Sequence, residues 1–81
     1  MRDVRFTTPA RMHRIGKGRA IQAMLDAGEP AVIPGDGDLD DRLLFIGVDD
    51  RGVELEVIAI EQPDHLLVTH VMPYAYRRRA R

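Results

Sequence analysis

The 81-residue chain predicts an α+β domain in which two N-terminal helices pack on one face of an antiparallel meander sheet of three to four strands. Three observations lead there. Apolar residues recur at helical spacing in the first third of the chain, at Ala20, Ile21, Met24 and Leu25. Three runs rich in β-branched and leucine residues follow, at 42–48, 53–60 and 65–72. Each run is joined to the next by about four turn-forming residues, short enough for hairpins and therefore for antiparallel neighbours.

Taken in order, Thr8 followed by Pro9 reads as a helix start, because a threonine hydroxyl can cap orphan amides and proline's missing donor costs nothing at the first helical position. The spacing predicts a first helix over 9–15, a break at Gly16 and Gly18, and a second helix over 17–27 that stops at Gly28 and Pro30. Residues 31–33 form a short strand closed by Pro34 and the loop GDGDLDD. In the central run, Val53, Leu55 and Val57 alternate with Glu54 and Glu56, which separates an inner from an outer face. Ile58 and Ile60 then fall on the glutamate side, and LLFI (43–46) and HLLVTHVM (65–72) are apolar on both faces. That excess implies cover on part of the second face, from another chain, or burial within the same chain by local strand twist or an N-terminal strand. Period-two parity places His70 with Leu66, Val68 and Met72, and His65 on the opposite face.

Composition excludes several classes. Without cysteine there is no disulfide framework and no thiolate metal site. No run of 18 apolar residues and no apolar leader segment is present, so a cytoplasmic domain is expected, with residues 1–76 as a single unit and 77–81 as a basic arm. The net charge of −1 conceals basic ends: residues 1–20 hold six cations against Asp3, and Arg77, Arg78, Arg79 and Arg81 close the chain. If the fold joins these ends, a nearly neutral protein acquires a positive face able to hold phosphates.

Asp36, Asp38 and Asp40 match the first positions of a calcium loop, but Asp41 stands where glycine is needed and Gly47 where the bidentate glutamate belongs. The three histidines are scattered, so neither a metal nor another cofactor is expected. GKGRA (16–20) lacks the spacing of a phosphate loop. What remains is a distributed set of basic residues, His70, Tyr74 and Tyr76. Such a set suits RNA cleavage through the 2′-hydroxyl, which needs a base, cations for the pentacovalent phosphate and an acid for the leaving oxygen.

The stretches RMHRIGKGRAIQAML and DDRGVELEVIAIEQPDHLLVTHVMPYAYR resemble, in pattern and order, the RelE/ParE superfamily of bacterial toxins, nearest to BrnT-like small proteins. The resemblance implies the toxin of a type II toxin–antitoxin pair, directed either at gyrase or, the reading preferred here, at RNA as an endoribonuclease acting free or on the ribosome, and neutralised by a cognate antitoxin protein. Carried onto this sequence, it assigns Arg14 and Lys17 to phosphate, His70 and Tyr76 to proton transfer and Arg77 to the transition state. Arg11, Tyr74, Arg78, Arg79 and Arg81 would bind the nucleic acid. The alternative is a non-enzymatic module that holds a partner, or a second copy of itself in a homodimer, on its basic face or its second sheet face.

Overall fold

The computed structural model describes residues 3–11 (side chains through Thr7), 15–38 and 40–75. Among the described residues, five strands and one N-terminal helix follow in the order β1 (Asp3–Arg11), α1 (Lys17–Ala27), β2 (Ala31–Ile33), β3 (Arg42–Val48), β4 (Glu54–Glu61) and β5 (His65–Pro73). The sheet order is β1-β5-β4-β3-β2. Strands β2 to β5 pair antiparallel, whereas β1 lies parallel to β5 and makes the sheet mixed.

This corrects the expected architecture. The expected first helix, 9–15, gives way to strand where it is described: 9–11, which Thr8 and Pro9 marked as a helix start, belong to an edge strand, and 12–14 lie outside the described residues. Asp3, Val4, Arg5 and Phe6 alternate polar with apolar, and Val4 and Phe6 pair with Leu66 and Val68. Pairing with β5, about sixty residues away, overrides the local cap signal. Proline is tolerated because β1 is an edge, and the register is irregular between Phe6 and Arg11, where Pro9 falls. The second helix, the short strand and the three-strand meander form within a residue of the expected bounds.

Helix α1 starts at Gly16 without a side-chain cap, carries no acid in its first turn and no base in its last. Its dipole is therefore uncompensated from within, and packing holds it. Ala20, Ala23 and Met24 face the sheet and are buried with Ile15. Beneath them lie Phe45 of β3, Leu55, Val57 and Ala59 of β4, and Leu66, Val68 and Val71 of β5, all in one core. The approach over β3 is close enough that a Cβ on Gly47 would overlap the carbonyl oxygen of Ala23 and stand 2.8 Å from the backbone nitrogen of Ala27.

Two polar ties fix the helix to the end of the β3–β4 hairpin. Asp26 Oδ2 accepts the amide of Val48 at 2.8 Å, occupying a donor on the outer edge of β3 beyond the reach of β2. Arg19 Nε donates to Asp49 Oδ2 at 2.6 Å, and Asp49 Oδ1 accepts the amides of Arg51 and Val53 at 2.8 and 2.9 Å. The Asp49 carboxylate is fully enclosed and organises the turn that Gly52 completes at φ +78°. Burial alone would discourage its ionisation. The bonds from the Val53 amide, Arg19 and the Arg51 amide outweigh burial and hold its pKa below the usual 3.8.

Candidate functional site on the open face of the sheet

Register assigns the second face strand by strand. Arg42, Leu44, Ile46 and Val48 of β3 pair with Ile60, Ile58, Glu56 and Glu54 of β4. Ile60, Ile58 and Glu56 pair in turn with Leu67, His70 and Met72 of β5. Since paired residues share a face, this surface turns away from α1.

His70 arrives there through a bulge. Ile58 pairs with His70 and the next residue, Ala59, pairs with Val68, so Thr69 is an extra residue on β5. One inserted residue reverses the parity of everything after it. Leu66 and Val68 face the helix, as the sequence implies, but His70 and Met72 do not join them. The expectation that His65 and His70 point to opposite faces is overturned for the same reason: both lie on the open face.

The bulge sets His70 diagonally across from Glu56, with Nε2 to Oε2 at 3.3 Å. Glu56 is buried, its side chain 4% exposed, while that of His70 is 25% exposed. The alternation that marked Glu54 and Glu56 as outward is correct in direction, yet only Glu54 is solvated. A buried carboxylate is costly unless partnered, and the imidazole stands beside it, its Nε2 buried although the ring as a whole is partly exposed. Sequence reasoning missed Glu56, although a glutamate within LEVIAI, apolar on both faces, is a signal that it would be enclosed.

The other expected site residues are dispersed. Lys17 opens α1, and its Nζ lies 5.5 Å from the ring centroid of Phe6, which packs against the core under the helix. Lys17 and His70 thus occupy opposite sides of the sheet. Among the described residues, no basic face built from two N-terminal helices exists to unite them. Arg11 is nearer: on β1 it is the register partner of His70. Tyr74, half-buried, directly follows β5. Arg14, Tyr76, Arg77, Arg78, Arg79 and Arg81 lie outside the described residues, as does His13.

Elsewhere, His65 Nδ1 is 2.7 Å from Asp64 Oδ1, and that hydrogen bond lowers the Asp64 pKa despite some desolvation. A hollow of about 430 Å³ is lined by Pro34, Gly35, Asp36, Asp38, Asp40, Arg42 and Ile60. Among the described residues, no group of three or more histidine, aspartate or glutamate side chains is arranged to hold a metal ion. No described helix is long and apolar enough to cross a membrane. In comparison with known proteins, the chain matches no family model, no curated protein and no solved structure.

Proposed function

We propose that the chain is a metal-independent endoribonuclease, the toxin of a cytoplasmic type II toxin–antitoxin pair, and that Glu56 and His70 form its proton-transfer pair. The observation that carries this reading is the buried carboxylate at 3.3 Å from a partly exposed imidazole, on a face the helix leaves open. The reaction needs no group beyond the chain and its substrate. The His70 imidazole takes the 2′-hydroxyl proton as the 2′-oxygen attacks the adjacent phosphorus. The bond from phosphorus to the 5′-oxygen then breaks, and that oxygen leaves with a proton returned by the imidazolium. The products are a 2′,3′-cyclic phosphate and a free 5′-hydroxyl. Glu56 stabilises the imidazolium formed in between and fixes the ring's orientation. Arg11, assigned to nucleic acid from sequence and the register partner of His70 on the neighbouring strand, is the residue we propose to offset charge on the phosphorane. Tyr74 follows the same strand and is suited to stack a base.

The test is incubation of RNA with the purified chain and excess chelator, followed by end-group analysis. Cleavage leaving cyclic phosphate ends that is lost in His70→Ala supports the reading; intact RNA with folded protein refutes it. A second reading, a module that binds a partner without chemistry, draws on the partly exposed apolar residues Leu44, Ile46, Ile58, Ile60, Leu67 and Met72 around the pair. It predicts partner binding that His70→Ala leaves intact and no cleavage at any enzyme concentration.

A further inference from the structure

The open face is unusual for an exposed sheet surface. Leu44, Ile46, Ile58, Ile60, Leu67 and Met72 remain partly accessible there, and Val48 at its border is 39% exposed. Two opposite charges stand at diagonal corners of its β3–β4 hairpin. Arg42 begins β3 opposite Ile60, and Glu54 begins β4 opposite Val48. Both are exposed, and neither forms an ion pair among the described residues. About six residues of extended strand separate their rows, roughly 20 Å at about 3.4 Å per residue.

We propose that a second copy of this chain covers the face, with its strands running antiparallel to the first across a two-fold axis. Such an axis, lying between the sheets and perpendicular to the strands, reverses the rows while keeping β3 over β3 and β4 over β4. Arg42 of one copy then stands over Val48 of the other, one strand from Glu54. Sheets stack about 10 Å apart, a gap that an arginine and a glutamate bridge together. Symmetry makes the contact twice, once at each end, bracketing an apolar layer of Leu44, Ile46 and Ile58. A two-fold axis along the strands would instead set Arg42 over Ile60 and leave both charges unmatched.

The area suffices for a small specific interface. Five strands about 4.8 Å apart and about seven residues long offer roughly 600 Å² per copy, near the lower bound of roughly 1,200 Å² in total for specific complexes. The stack also covers the part of the His70 ring that a single chain leaves exposed, so RNA reaches that imidazole only in the dissociated chain. This last consequence rests on the ribonuclease reading; the assembly itself does not, and the two are measured separately.

Sedimentation equilibrium of the full chain is expected to show a dimer at micromolar concentration. Glu54→Arg and Arg42→Glu should each weaken it by at least about tenfold, since each converts two attractions into two repulsions. The double variant Glu54→Arg with Arg42→Glu should restore association, with circular dichroism confirming the fold in all three. A monomer at every concentration overturns the proposal. So does a dimer indifferent to both single changes, or a face that captures a different protein while the chain alone stays monomeric.

Discussion

Gly47 and Ala23 meet backbone to backbone: α1 crosses β3 so closely that the helix carbonyl of Ala23 occupies the place where a side chain at position 47 would begin. This approach lets Ala20, Ala23 and Met24 reach the layer of Leu55, Val57 and Ala59 and become almost wholly buried. Small residues on both sides bring helix and sheet together, and the thin core of an 81-residue domain depends on that proximity.

Gly47→Ala should therefore be destabilising although glycine is usually the poorer strand residue. The obstruction is backbone, which cannot rotate away, so about 3 kcal/mol is expected. Chemical denaturation would measure it, alongside a fall in melting temperature of more than about 10 °C. An unchanged or raised stability would show that α1 does not lie where described.

Asp49 gives the acid limb of the stability curve a definite sign. Its folded pKa is depressed below 3.8, so the native state favours the ionised form. The associated stabilisation is complete above the unfolded value and is lost as pH falls through 3.8 toward the folded pKa. Asp49→Asn removes this contribution, so the variant should be less stable at neutral pH and lose less on acidification between about pH 5 and 2. Thermal melts of both proteins across that range provide the check. Arg19→Met should lower neutral stability too, and the two changes together should cost less than their sum, because they break one tie.

Glu56 and His70 can be separated by kinetics. His70→Ala should reduce RNA cleavage by about two to four orders of magnitude, the usual contribution of a positioned acid–base group. Glu56→Gln keeps volume and burial but removes the carboxylate that faces the imidazole, so it should lower kcat while leaving KM near wild type. Stability measured on the same samples guards against a folding explanation. A flat pH profile in wild type would reject His70 as the proton carrier.

Assembly and catalysis should oppose each other. Raising wild-type concentration ought to lower the cleavage rate per chain as dimer forms, whereas Glu54→Arg, a change at a corner of the face, should keep a constant rate per chain. Single-turnover assays over a wide concentration range decide this.

The expectation that the C-terminal arginines bind RNA is tested by truncation. Deleting residues 78–81 removes Arg78, Arg79 and Arg81. The log–log salt slope for single-stranded RNA should flatten by up to about 2, at roughly 0.7 for each phosphate no longer neutralised, with the melting temperature nearly unchanged.

Elements built on local repetition were legible in the sequence. The spacing of Ala20, Met24 and their neighbours, the stops at Gly28 and Pro30, and the turn residues between strands give α1, β2 and the β3–β4–β5 meander within a residue, because those signals act over a few positions. The glutamate side of β4 was likewise readable, and with it the surplus of apolar residues on the face that α1 leaves open. Only the tertiary structure decided the rest. Val4 and Phe6 become strand residues because β5 is there to pair with them, although Thr8 and Pro9 announce a helix locally. Thr69 becomes a bulge through cross-strand register, and that single insertion moves His70 from the core to the open face, beside Glu56. Lys17 and His70, both basic-site candidates in one dimension, end on opposite sides of a sheet. Periodicity fixes what a residue does relative to its neighbours, but which face a strand shows after a bulge depends on partners far along the chain.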